Sequence, residues 1–123
     1  MKRRILVVDD DPDIVRILRV ILEKHGDVVD VAGNGKEALS KVVEGRPEIV
    51  FLDLMMPELD GFEIVEALSS TGVTRPRLFV MTAKRLTPQE KVFLEKHVEM
   101  IIQKGSDDLA EILEKVLSGL DSK

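Results

Sequence analysis

Four short apolar runs in this chain lead into residues that can do chemistry. Ile5-Leu6-Val7-Val8 is followed by Asp9, Asp10 and Asp11, and Ile49-Val50-Phe51-Leu52 by Asp53. Leu78-Phe79-Val80-Met81 is followed by Thr82, and Ile101-Ile102 by Gln103 and Lys104. A carboxylate at the end of a buried-type run cannot sit unpaired in a core, because desolvating it costs several kcal/mol or forces it to take a proton. Asp53 must therefore open into a cleft or cap a backbone. Carboxylates brought together stay ionised only with a cation between them. Hard oxygen ligands with room for water suit Mg2+. A carboxylate beside that ion can also be a nucleophile that carries a phosphoryl group as an aspartyl phosphate. A lysine ammonium and a threonine hydroxyl would then hold the remaining phosphoryl oxygens, the positioning and charge stabilisation that phosphoryl transfer needs.

These residues meet only if the elements before them align. The run at 5–8 is short, apolar and β-branched, as in a strand buried on both faces. Asp11 fits an N-cap and Pro12 a first helical position. Ile14, Ile17, Leu18, Ile21 and Leu22 then recur at helical spacing, and Gly26 fits the residue after the helix end. A strand at 28–32 is broken by Asp30, as expected at a partly wet sheet edge. After an Asn34-Gly35 turn signal, a second helix turns Ala38, Leu39, Val42 and Val43 inward and closes at Gly45. A third strand covers 48–52. Asp60 opens a third helix, with Glu63 as a capping-box variant and Phe62, Val65 and Leu68 inward, ending at Thr71-Gly72. A fourth strand covers 77–81. Thr87-Pro88-Gln89-Glu90 is a strong helix start, continued by Val92, Phe93 and Lys96. A fifth strand covers 98–102. Ser106 caps a last helix with a stripe of Leu109, Ile112, Leu113, Val116, Leu117 and Leu120.

Five strands alternating with five helices imply a parallel, doubly wound α/β sheet with helices on both faces. In such a sheet every strand ends on one rim, and ligands bind there where the strand order reverses. That rim collects Asp9, Asp10, Asp53, Thr82 and Lys104. Taken singly, each has a plain explanation: Asp11 and Asp60 as caps, Asp9 or Asp10 as a solvated turn, Thr82 as a strand end, Lys104 as a surface lysine. Their joint placement is what singles them out.

Composition narrows the function further. The 123 residues amount to one domain, 1–123, with 44% hydrophobic and 33% charged residues. No repeat, low-complexity stretch or linker interrupts it. With no cysteine, disulfide and thiolate chemistry are excluded, which suits a reducing, cytoplasmic setting. No apolar run approaches the ~18 residues of a membrane helix. A net charge of −5 argues against nucleic acid as the main partner.

The segments Ile5-Leu6-Val7-Val8-Asp9-Asp10-Asp11-Pro12, Asp53-Leu54-Met55-Met56-Pro57-Glu58-Leu59-Asp60-Gly61, Met81-Thr82-Ala83 and Lys104 together resemble the receiver domain of two-component response regulators. The resemblance spans the whole chain. It implies a five-stranded flavodoxin-like fold of strand order 2-1-3-4-5. It also implies a phosphoacceptor module rather than an enzyme with turnover. Asp53 would receive the phosphoryl group from the phosphohistidine of a sensor histidine kinase or a histidine phosphotransfer protein. Asp10 would bind Mg2+ directly, Asp9 mainly through water, and the backbone carbonyl of Met55 would complete the protein ligands beside Asp53. Thr82 and Lys104 would contact the phosphoryl oxygens. The response would pass through the surface of the fourth helix, fifth strand and fifth helix to a downstream protein target, with a phosphorylation-dependent dimer as one form of output. The C-terminal part also resembles receivers of hybrid histidine kinases, while the Met1-Lys2-Arg3-Arg4 lead favours a free-standing protein.

The chain departs from the family pattern in places. Ile101 stands where an aromatic residue usually swings inward, so the switch is expected to be weaker or differently routed. Gly105 replaces the usual proline after the lysine. A cis bond before a non-proline residue costs ~2.5–4 kcal/mol, so a trans Lys104–Gly105 bond is expected. Met55 and Lys84 occupy the positions that orient attacking water in fast members, so self-dephosphorylation is expected to be slow. Two rival readings differ in chemistry. A haloacid-dehalogenase-like phosphatase would want an aspartate where Met55 stands, and a non-phosphorylated pseudo-receiver would not need the full set Asp10, Asp53, Thr82 and Lys104.

Overall fold

A computed structural model describes residues 3–56, 60–69, 76–83, 85–104 and 109–121. The order of elements is β1 (Arg4–Val8), α1 (Pro12–Lys24), β2 (Val28–Ala32), α2 (Gly35–Gly45), β3 (Ile49–Asp53), α3 (Gly61–Ser69), β4 (Arg77–Thr82), α4 (Pro88–His97), β5 (Met100–Gln103) and α5 (Leu109–Asp121). The five strands are parallel in the order β2-β1-β3-β4-β5, as the resemblance to receiver domains implies.

Strand periodicity sorts the core into two layers. Leu6, Val8, Val50, Leu52, Leu78 and Val80 face α2, α3 and α4, meeting Ala38, Val42, Ile64, Val65, Leu68 and Leu94. The alternate residues Ile5, Val7, Ile49, Phe51, Phe79 and Met81 face α1 and α5, meeting Leu18, Leu22, Leu113 and Leu117. Phe51 and Phe79 are register partners and stack with ring centroids 5.3 Å apart. With both faces covered, a charge on this sheet is tolerated only at an end or an edge.

Helix ends follow the local chemistry. The Asp11 side chain accepts the Asp13 N–H and Pro12 is the first helical residue of α1. Gly26 takes a φ of 90°, a left-handed conformation that costs glycine little. Thr87 and Glu90 form a reciprocal capping box on α4, with hydrogen bonds of 3.1 and 2.8 Å.

Two arginine clamps fasten the strand starts. Arg3 donates two hydrogen bonds to Asp27, at 2.8 and 3.1 Å, joining the approaches to β1 and β2. Arg77 does the same to Glu99, at 2.7 and 2.8 Å, joining β4 to the approach to β5.

Several sequence expectations are corrected. Asn34 is the N-cap of α2, accepting the Glu37 N–H at 2.8 Å, rather than part of a free turn. Val43 and Ile17 are 67% and 38% exposed, so α2 and α1 bury narrower stripes than their spacing suggests. Leu94 is the fully buried anchor of α4, and Ile64 joins the inner face of α3. Val98 caps the end of α4, and β5 starts at Met100. Asp60 precedes α3 and accepts the Phe62 N–H at 2.9 Å, instead of forming a capping box with Glu63. Thr71, Gly72 and Ser106 lie outside the described residues.

Gly61 opens α3 at a close backbone approach. A Cβ there would fall 2.6 Å from Leu54 Cα and 2.9 Å from the Leu54 carbonyl oxygen. Gly61→Ala is expected to destabilise the fold by about 1–3 kcal/mol, the usual cost of overpacking a rigid neighbour. A midpoint in urea unchanged from wild type would contradict this. Since α4 has Leu94 as its fully buried residue, its start depends on the capping box. Thr87→Ala is expected to cost about 1 kcal/mol, read as faster amide exchange through the first turn of α4.

Candidate functional site

The chain runs from β1 outward to β2 and then crosses to β3 on the other side of β1, so strand order reverses between β1 and β3. Asp9 and Asp10 follow β1 at this point and Asp53 ends β3. One carboxylate oxygen from each of Asp9, Asp10 and Asp53 lies within 4.8 Å of the others. Asp9 and Asp53 are buried and Asp10 is exposed, so the cluster has two walls and one open side.

Backbone groups fix the two buried acids. The Asp9 amide donates to the Ala32 carbonyl at 3.2 Å, which extends the β1–β2 ladder by one residue. Asp9 Oδ1 accepts the Asp11 N–H at 3.0 Å, so the segment that opens α1 also orients the acid before it. Asp53 Oδ1 accepts the Met55 N–H at 2.9 Å, and the Leu54 N–H donates to the Met81 carbonyl at 3.0 Å. The start of the segment after β3 is thereby sewn to β4.

Lys104 closes the site from β5. Its N–H donates to the Thr82 carbonyl at 2.8 Å, which sets the direction of the side chain. Its Nζ then lies 2.8 Å from Asp9 Oδ2 and 3.1 Å from Asp53 Oδ2. Burial pushes the Asp9 carboxyl above its ordinary range, with the Asp53 charge adding to this and the Lys104 hydrogen bond opposing it. For Lys104, burial pulls the ammonium down most strongly, but hydrogen bonds and charge from Asp9 and Asp53 outweigh it and leave it raised. The lysine is therefore firmly protonated between two acids.

Thr82 is fully buried at the end of β4, in the strand that pairs with β3. Met55, two residues past Asp53, is 55% exposed. Ile101 is half-buried and packs against the α2–α4 side of the core. Lys84, residues 57–59 and Gly105, and with them the Lys104–Gly105 bond, lie outside the described residues. The sequence signals therefore converge: Asp9, Asp10 and Asp53 form one cluster, and Lys104 joins two of them. What sequence did not reveal is that Lys104 serves as the counter-ion of the acids. With all three acids ionised, three carboxylates and one ammonium leave two negative charges uncompensated, and their oxygens are hard donors. This set fits a metal ion.

Comparison with known proteins agrees. Residues 5–117 match the response regulator receiver domain family. The DNA-binding response regulator MtrA of Mycolicibacterium smegmatis is 37% identical over 105 residues, covering 85% of this chain and 45% of that protein. The response regulator MprA of Mycolicibacterium vanbaalenii is 46% identical over 84 residues, covering 68% of this chain and 36% of that protein. The chain thus spans less than half the length of these curated relatives. A CheY-like response regulator receiver domain protein from Methanospirillum hungatei superposes with a TM-score of 0.84 at 26% identity, covering 99% and 96% of the two chains. The chemotaxis response regulator CheY4 of Vibrio cholerae superposes with a TM-score of 0.81 at 26% identity, covering 97% and 98%. The β2-β1-β3-β4-β5 sheet, the acidic cluster at its reversal point and a match over nearly the whole sequence lead to one conclusion: this chain belongs to the response regulator receiver domain family.

Proposed function

We propose that Asp53 accepts a phosphoryl group from the phosphohistidine of a sensor histidine kinase or histidine phosphotransfer protein, and that Mg2+ is held by Asp9, Asp10, Asp53 and the carbonyl of Met55. The observation that carries this reading is the Lys104 ammonium lying between Asp9 and Asp53 beside the open Asp10. An Asp53 oxygen attacks phosphorus and the P–N bond to the donor imidazole breaks. The electron pair returns to that ring nitrogen. Mg2+ held by Asp9, Asp10, Asp53 and the Met55 carbonyl would supply positive charge against the phosphoryl oxygens. Lys104 moves from carboxylate to phosphoryl oxygen, and Thr82 donates its hydroxyl to another. The new group carries about −1.5 to −2 charges in place of the single charge of the Asp53 carboxylate, beside the two acids that remain. Movement of Thr82 toward the phosphoryl group then alters the surface of α4, β5 and α5 for a downstream protein target or a phosphorylation-dependent dimer, by a route that does not use an aromatic gate at Ile101. A cytoplasmic setting belongs to this reading, with a histidine-kinase phosphohistidine as donor. Among the described residues no helix is long and apolar enough to cross a membrane. Family membership over 5–117 gives no support to the haloacid-dehalogenase or pseudo-receiver alternatives.

Two measurements test the site. Acetyl phosphate with Mg2+ should add one phosphoryl group to the wild-type chain by intact mass spectrometry and none to Asp53→Asn; equal labelling of both would overturn the assignment. Mg2+ at a hundred times its Kd should stabilise the wild type by about 2.7 kcal/mol. Asp10→Ala, a change at an exposed position, should lose most of that gain, and an identical Mg2+ response in both proteins would remove Asp10 from the ligands.

The phosphoryl lifetime should be long. Met55 offers a thioether and no strong hydrogen-bonding group to orient attacking water. Release of inorganic phosphate from the labelled protein should be slow, and a half-life of seconds contradicts this.

A further inference from the structure

Among the described residues Gly26 is the glycine with a positive φ, so backbone twist is not what calls for glycine at position 61. Space is what calls for it. Gly61 is buried at the first position of α3, and an added Cβ would lie 2.6 Å from Leu54 Cα, 2.8 Å from Leu54 Cδ2 and 2.9 Å from the Leu54 carbonyl oxygen. The Cα and the oxygen are backbone, so turning the Leu54 side chain does not relieve the contact. All of these atoms belong to the residue that follows Asp53.

Both walls of the contact are held. The Asp60 carbonyl accepts the N–H groups of Glu63 and Ile64, and Ile64, Val65 and Leu68 seat α3 in the core. Leu54 is 3% exposed, and its N–H donates to the Met81 carbonyl on β4. The part left to move is the peptide unit between Leu54 and Met55. Its carbonyl oxygen and its N–H lie in one plane. That N–H is the one that donates to Asp53 Oδ1 at 2.9 Å. A push on the Leu54 oxygen therefore tilts the plane and swings the Met55 N–H away from the Asp53 carboxylate.

We infer that Gly61 is a positioning residue for Asp53. By leaving room for the Leu54 carbonyl, it keeps the Met55 N–H aimed at Asp53 Oδ1 and so fixes the carboxylate in the direction that Mg2+ binding needs. Groups that orient a metal ligand carry about tenfold to a hundredfold in metal affinity. The inference rests on the Mg2+ reading of the acidic cluster, and it gives a helix residue outside that cluster a share in metal affinity.

The test compares the wild type with Gly61→Ala and with Ile64→Val. Ile64→Val trims the inner face of the same helix and lowers stability with no added bulk at Leu54. Mg2+ affinity is read by calorimetric titration and amide exchange by NMR, both well below the unfolding temperature. Gly61→Ala should bind Mg2+ about tenfold to a hundredfold more weakly than the wild type. It should lose protection at the Met55 amide while the Leu54 amide, bonded to β4, keeps its own. Ile64→Val should match the wild type in both. Equal Mg2+ affinity in Gly61→Ala and the wild type overturns the inference. Equal weakening by Ile64→Val also overturns it, because the loss then follows stability and not the push on Leu54. The wild type gives an independent check: its Met55 amide must exchange more slowly than an open amide, and if it does not, the inference fails whether or not Gly61→Ala folds. A wild type that binds no Mg2+ removes the metal reading and this inference with it, a result distinct from a wild type and a variant that bind alike.

Discussion

One ammonium group between two carboxylates sets the character of this molecule. Lys104 reaches Asp9 across 95 positions of sequence, and the same Nζ contacts Asp53. Without it, the two buried acids would face each other with like charge and no ammonium between them. Its hydrogen bond opposes the upward push that burial gives the Asp9 carboxyl, and it gathers the oxygens of both acids at one point. It also joins β5 to β1 and β3 through side chains. A change in charge at Asp53 is therefore felt at once by the strand beside the α4 and α5 surfaces.

This arrangement needs a sheet with no other outlet for polarity. Both faces are sealed by helices, so the charged groups of the site can only gather at the carboxyl ends of strands. The first residues past β3 and β5 are held by backbone bonds from Leu54 to Met81 and from Lys104 to Thr82. Site geometry follows from sheet register more than from the side chains alone. The glycine at the start of α3 contributes by its size, because the helix abuts the backbone of Leu54, one residue past Asp53.

Much of this was readable in the amino acids. Continuous apolar runs announced strands buried on both faces, and Asp11, Pro12, Thr87 and Glu90 marked helix starts that the structure shows. The rim residues were legible because four unrelated runs lead into reactive groups. Other features were not legible, for physical reasons. Val43 and Ile17 look like core residues but are exposed, since periodicity gives the centre of a helical stripe and not its width. Val98 is β-branched and reads as a strand, yet it finishes α4, because a short element yields to the hydrogen bond its neighbour offers at Leu94. Asp30 marked a wet edge, but its partner on α2 emerged only once β2 and α2 were side by side. Lys104 as a counter-ion is likewise a tertiary fact: a lysine two residues past a strand has no stated partner until the strand order is known.

The arginine clamps carry a last implication. Arg3 with Asp27 and Arg77 with Glu99 pin neighbouring strands together where they begin, at the end of the sheet away from the acids. Each outer strand is thus moored to its inner neighbour at the end opposite the acids. The ion pairs that fasten the sheet and those that build the site load opposite ends of the same strands.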